Sequence, residues 1–458
     1  MNIGIFGLVA AISCGSALAQ TLEEALSQAY ISNPVLFAAR ASLRAVDEGV
    51  PQAQALGRPT AAATGTAGPT WTKGGIIGTA APSAVASGVP DKVVRTNPRT
   101  VGLTVTQQIY RGGLVDASIS QAENAVQAQR ASLLDTEQTM MLQAVTAYLD
   151  VFQGEALVNL QVNFEKFQKR DLEAFRDRFR VGEITQTDVS LQEAQVASAA
   201  AARISAEGTL AVARASYTRL MGVAPEKTEQ PHFKYALPPT LEEAILQAQA
   251  NNPKVVTAKF SESAARDGID VADSGLLPTF GVTASVAHNL DRSRPDDFAN
   301  SAGVIANLTI PLDNGGVAAK ARAARHSANA ARINIEQSLR TVRDLTVTAW
   351  QNLATARASI VSYQVAVKAN GLAAEGMRQQ VAVGASTVID LLNTEQTLLN
   401  ARLNLVKAQH DENAASFAAL AAIGQLSAQN LKLPVAYYDY EAHYNTVRDK
   451  WFGNGIDE

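Results

Sequence analysis

Proline is missing from two long windows of this chain: none lies between Pro98 and Pro225, and none between Pro311 and Pro434. Proline breaks helix interiors, so these windows can hold very long helices. In the first, Ile119, Val126, Leu133, Met140 and Ala147 recur at seven-residue spacing. In the second, Leu339, Val342, Leu345, Ala349, Leu353, Ala356 and Ile360 step by three and four. Both patterns are coiled-coil-like seams. Small residues such as Ala197, Ala199–Ala202, Ala328, Ala330 and Ala331 let neighbouring helices approach closely.

The two windows are copies. Thr21-Leu22-Glu23-Glu24-Ala25-Leu26 returns as Thr240-Leu241-Glu242-Glu243-Ala244-Ile245, and the register continues through Asn33-Pro34 and Asn252-Pro253 to Pro59 and Pro278. Gly112-Gly113 answers Gly315-Gly316, and Val181-Gly182 with Asp188 answers Val383-Gly384 with Asp390. A unit of about 200 residues is too long for a solenoid repeat, so one structural half is duplicated: 20–239 and 240–424, with a tail at 425–458. Each window has one break, at the Val-Gly turn, where Gly signals a helix C-cap. A helix start follows, Thr185-x-x-Asp188 or Thr387-x-x-Asp390. The expected helical hairpins run over about 113–221 and 317–423, after shorter helices at about 34–56 and 253–276. The descending arm 113–181 is about 100 Å long at the α-helical rise.

Between the short and long helices the period changes to two. Phe280, Val282, Ala284 and Val286 alternate with Thr279, Gly281, Thr283 and Ser285, and Ala302 to Ile310 alternate likewise. In the first half Val101, Leu103, Val105 and Ile109 alternate with Thr100, Gly102, Thr104 and Gln108. Strands are expected at about 60–69, 99–110, 279–288 and 301–311, with a long Gly/Ala/Pro-rich loop at about 70–98 and a short polar one at about 289–300. Each matches a tilted membrane-spanning strand in length. A half-buried soluble sheet is the alternative for any one hairpin. Four strands leave open edges, which lipid does not tolerate, so a barrel requires oligomerisation, three copies giving twelve strands.

With 18% charged and 6% aromatic residues, the chain suits long, thinly packed helices better than thick globular cores. The net charge of −4 and the lack of a basic stretch exclude a nucleic-acid partner. Residues 1–19 read as a signal peptide, mostly apolar and ending in Ala17-Leu18-Ala19 before Gln20. Cys14, the sole cysteine, falls inside it; its lipidation is the rival reading, with Ala11-Ile12-Ser13 a poor lipobox. No later segment reaches the ~18 apolar residues of a membrane helix. His232, His288, His326, His410 and His443 have no metal-ligand spacing. With no phosphate loop or Ser/His/Asp set either, neither enzyme nor cofactor is expected.

Together these residues resemble the TolC family of outer-membrane channel proteins over essentially the whole mature length. The marks are the duplicated Thr-Leu-Glu-Glu-Ala and Asn-Pro, Leu277-Pro278, Leu308-Thr309-Ile310-Pro311-Leu312 before Gly315-Gly316, Arg178-Phe179-Arg180-Val181-Gly182, and Val383-Gly384 before Ile389-Asp390-Leu391-Leu392. The resemblance implies a mainly α fold with a transmembrane β-barrel portion. The implied assembly is a homotrimer whose twelve-stranded outer-membrane barrel continues as a periplasmic α-helical tunnel. It also implies a periplasmic adaptor and an inner-membrane transporter, ABC or proton-driven, as partners, with outer-membrane lipid around the barrel. The implied work is type I protein secretion, small-molecule efflux, or both. The tail Tyr437–Tyr444, ending in Arg448-Asp449-Lys450-Trp451-Phe452, is similar to those of the secretion branch. A periplasmic coiled-coil adaptor or scaffold without a pore is the rival from another class.

By the same resemblance, Asp390 lies at the periplasmic entrance in an acidic ring. Three carboxylates around one axis favour cations and raise each other's pKa. Asn393 stands where the family often has a second Asp, implying a weaker ring. Asp188 occupies the position of a latch residue. Ser386 and Val381 stand where latch partners Arg and Tyr are expected, so closure must use other contacts or be less tightly held. Helix capping is the plainer reading of both Asp188 and Asp390. Val181, Gly182, Val383 and Gly384, with Arg178 and Arg180, mark the tips where adaptors dock in the family; a solvated charged face is the alternative for the arginines.

Overall fold

The computed structural model describes residues 20–73, 93–232, 234–291, 298–312 and 315–456. The expected leader with Cys14, the middle of the long loop (74–92), and Arg292, Arg294, Asp296 and Asp297 of the polar loop lie outside the described residues. In chain order the elements are α1 (Leu22–Ser32), α2 (Pro34–Asp47), α3 (Gly49–Ala55), β1 (Thr60–Ala67), β2 (Thr70–Lys73), β3 (Val93–Thr96), β4 (Arg99–Arg111), α4 (Leu114–Arg180), α5 (Gln186–Met221), α6 (Leu241–Asn251), α7 (Pro253–Asp273), β5 (Thr279–Leu290), β6 (Phe298–Thr309), α8 (Gly315–Ala382), α9 (Val388–Ala422) and α10 (Ala442–Val447). The chain divides into two compact units. The first holds 20–43, 128–258 and 334–440; the second holds 44–127, 259–333 and 441–456.

In the first unit, the duplicated motifs act as helix punctuation. The Thr21 hydroxyl accepts from the Glu24 N–H while Glu24 accepts from the Thr21 N–H, a capping box that starts α1. Thr240 accepts from the Glu243 N–H at the start of α6. The Asn-Pro pairs end these helices and start the next. Asn33 Oδ1 accepts from the Val35 N–H at 2.9 Å and Asn252 Oδ1 from that of Lys254 at 3.0 Å. Their buried amides donate to the Leu220 and Ala422 carbonyls, at the ends of α5 and α9. One motif therefore starts a helix and satisfies an orphan carbonyl of another. The core gathers Leu26, Tyr148, Tyr217, Phe417 and Ile423. Of the heptad seam on α4, Leu133, Met140 and Ala147 are buried here; of the seam on α8, Leu345 is exposed. Buried Glu137 accepts from the Ala428 N–H at 2.8 Å and the Tyr440 hydroxyl at 3.3 Å, fastening the stretch after α9.

The second unit carries an antiparallel sheet in the order β1-β4-β5-β6, so its middle pair joins the two sequence repeats. Leu103 faces Val286 and Val105 faces Ala284, flanked by Ala63 and Ala61 of β1 and by Ala302 and Val304 of β6. The other face pairs Thr60 with Thr106, Thr104 with Ser285, and Thr106 with Thr283. The apolar face is exposed at Val101, Leu103, Val286 and Val304.

Several elements differ from the sequence expectation. The helix expected over 34–56 is interrupted at Glu48, because Pro51 has no N–H for the Asp47 carbonyl. The flanks of the long loop form strands, β2 pairing with β3 and Arg95 lying 5.6 Å from the Trp71 ring centre. β6 spans 298–309 rather than 301–311, since Pro311 has no N–H for the ladder. Ile109 is stepped over where the β4–β5 register shifts.

Candidate functional site

The two Val-Gly turns lie in the first unit and are built alike. At the end of α4 the Glu183 N–H donates to the Arg178 carbonyl and the Gly182 N–H to that of Phe179. At the end of α8, Ala385 donates to Gln380 and Gly384 to Val381. Both are Schellman motifs, which require a left-handed residue, and Gly182 and Gly384 have φ of 81° and 75°. The next helices start with full capping boxes, Thr185 with Asp188 and Thr387 with Asp390. Asp188 Oδ2 accepts from the Thr185 N–H at 2.9 Å and Asp390 Oδ2 from the Thr387 N–H at 3.2 Å. Each carboxylate also favours the positive end of its helix.

The tips meet one another. Arg178 Nη2 donates to the Ala382 carbonyl at 3.5 Å, and its Nε lies 3.1 Å from Glu183 Oε2. Arg180 pairs with Asp177 on the surface. Phe175 of α4 packs with Val381, Val388 and Leu391, with Ile184 and Leu392 against them. Val381 thus supplies apolar packing where the family resemblance implies a Tyr. Ser386 donates to Gln380 Oε1 at 2.9 Å, inside its own turn. Val181 and Val383 are exposed. Asp390 and Asn393, three residues apart on α9, are both exposed.

One cluster went unread in the sequence. Above the turns a chain of polar groups, buried except at Arg378, links four helices: Gln192 (α5) donates to Gln168 (α4), Gln168 donates to Glu395 (α9) at 3.3 Å, and Arg378 (α8) donates to Glu395 at 3.1 Å. Gln168, Gln192 and Glu395 are buried, and Arg378 lies 4.9 Å from the Phe167 ring centre. Burial pushes the Glu395 carboxyl up to about 7, further helped by Asp171 and opposed by Arg378 and Gln168. Burial also raises Asp171. The signal was Glu395 itself, four residues after Leu391 and four before Leu399 on the apolar stripe. Arg378 and Glu395 also line a groove of about 370 Å³ with Phe164, Phe167 and Arg402.

The chain matches the outer membrane efflux protein family over residues 25–223 and 244–425, one stretch in each repeat. It belongs to that family, the family of TolC. The outer membrane efflux protein BepC of Brucella suis is 34% identical over 441 residues, covering 96% of this chain and 92% of the relative. TolC of Escherichia coli is 24% identical over 430 residues, covering 90% and 84%. The fold is similar to that of the CmeC outer membrane channel of Campylobacter jejuni, with a TM-score of 0.76, 14% identity, and 93% and 89% of the two chains covered. TolC-family proteins are outer-membrane channels rather than enzymes, and this chain is an outer-membrane protein of that kind. No helix of the described residues is long and apolar enough to cross a membrane.

Proposed function

We propose that the protein is the outer-membrane exit duct of a tripartite transport machine. It receives type I secreted proteins, small toxic compounds, or both from an inner-membrane transporter joined to it by a periplasmic adaptor. The observation that carries this reading is the four-stranded sheet, apolar on one face, polar on the other, and open at β1 and β6. Open edges are not stable in lipid, and three copies close them as a twelve-stranded barrel with the polar face inward. Asp390, exposed at the tip, is assigned to an acidic entrance ring that Asn393 weakens. Asp188, Ser386 and the Val-Gly turns belong to the closing and adaptor-docking surface, with Arg178 and Arg180 beside them.

The test is conductance of the purified protein in a planar bilayer, with Asp390→Ala alongside. A small, cation-selective conductance that loses selectivity in the variant is expected. Unchanged selectivity reduces Asp390 to a helix cap. No conductance from a folded trimer favours a non-pore scaffold. A dedicated small-molecule duct is the second reading, favoured by the efflux name of BepC. Sensitivity of a deletion strain to dyes and detergents, with every secreted protein still exported, selects it.

A further inference from the structure

The last described stretch of the second unit returns to the end of the sheet where the strands meet their helices. His443 Nδ1 lies 3.1 Å from buried Asp47 Oδ2. Beyond α10, Arg58 donates to the Lys450 carbonyl at 2.9 Å, and its guanidinium lies 4.7 Å from the Trp451 ring centre. The Phe452 ring is 6.2 Å from that of Trp451. Arg58 is two residues before β1, and the neighbouring Gly57 and Leu56 carbonyls accept from Gln107 and Arg111 of β4. Trp451 is therefore fixed at the level where β1 begins and β4 ends.

The position is a poor one for rings facing water. Trp451 is 56% exposed and Phe452 85%. Indole favours the membrane–water boundary, where its apolar ring and its N–H are both satisfied. Membrane barrels carry an aromatic girdle at each end of their apolar band. At the loop end of the sheet, exposed Trp71 and Phe298 meet that need. At the helical end, β4 offers Tyr110, and the tail brings two more rings. Arg58 and Lys450 beside them suit lipid phosphate.

We propose that Trp451 and Phe452 form a membrane anchor: the tail lays both rings in the phospholipid headgroup layer of the periplasm-facing leaflet, beside the strands, and sets the depth at which the sheet sits. This rests on the sheet spanning the outer membrane. The full chain, reduced to one tryptophan by Trp71→Phe and Trp350→Phe, is reconstituted in phosphatidylethanolamine/phosphatidylglycerol vesicles whose acyl chains carry bromine either near the headgroup or near the chain end. About half or more of the Trp451 emission is lost to the shallow bromine and little to the deep one. A parallel variant lacking all three native tryptophans but carrying Leu103→Trp reports on the sheet and is quenched by the deep bromine. If Leu103→Trp is quenched and Trp451 is not, the anchor is overturned, and the rings face water, a neighbouring copy or another protein. If neither is quenched, the membrane-spanning sheet fails and the anchor with it.

Discussion

Glu395 stands on a stripe that its leucine neighbours bury, so its carboxylate leaves water with them. Its pKa of about 7 means that the folded chain holds the proton more tightly than the unfolded one. Its contribution to stability is complete below the ordinary carboxylate value and is lost as pH rises through about 7. Glu395→Gln keeps the shape and gives up the titration. Between about pH 5 and 8 the thermal midpoint of the parent should fall relative to that of the variant; parallel midpoints would show that Glu395 does not titrate there. His410 behaves alike in sign. Burial disfavours its charged form, but hydrogen bonds to Asp150 and Asp411 outweigh this and raise its pKa. Asp390 has two readings that one neighbour separates. Thr387→Ala removes the cap, costs about 1 kcal/mol, and leaves the carboxylate in place. Cation selectivity lost in Asp390→Ala but kept in Thr387→Ala assigns the charge to the pore.

At the scale of elements, the turns and the strands carry the sharpest expectations. A Cβ at Gly182 or Gly384 would meet nothing within 4 Å, so only the left-handed backbone opposes a side chain. Gly384→Ala should therefore cost about 1–2 kcal/mol, while Gly384→Asn, which tolerates that conformation, costs less. Equal losses in chemical denaturation would mean that contact rather than backbone geometry governs the turn. On the strands, Leu103 sits centrally on the apolar face. Leu103→Arg at a lipid-facing midplane position costs about 2–4 kcal/mol, and its yield in outer-membrane fractions should drop sharply. Thr104→Arg, on the polar face, should be tolerated. The opposite ranking would place the polar face in lipid.

At the scale of the whole molecule, a single copy leaves apolar surface in the open. Val361, Val365 and Leu372 lie on one face of α8, and all three are exposed. A run of aliphatic residues at helical spacing on a surface marks a contact to be made. The expectation is that another copy of the chain makes it. Val365→Glu should shift the detergent-solubilised protein from trimer toward monomer in analytical ultracentrifugation, with far-UV circular dichroism unchanged. An unshifted trimer would move the subunit interface elsewhere.

Much of this was legible in the linear order of residues. The proline-free windows and the Val-Gly breaks located the long helices and their turns, because helix interruption is a local property. Alternation in Val101–Gln108 and Phe280–Val286 located the central strands for the same reason. The weaker flanks escaped: Pro51 split a short helix, and β2 and β3 formed where composition suggested only loop. Capping at Asp188 and Asp390 is written in the Thr-x-x-Asp spacing. The polar chain from Gln192 through Gln168 to Glu395 and Arg378 is not, because its members come from four helices; Glu395 stands out on its apolar stripe, but nothing local names its partners. Trp451 likewise gains meaning only from Arg58, nearly four hundred positions earlier. Periodicity and caps are local, so the sequence by itself determined the long helices, their turns and the central strands. Burial of charge and the meeting of distant side chains depend on which surfaces pack together, and those were decided by the tertiary structure alone.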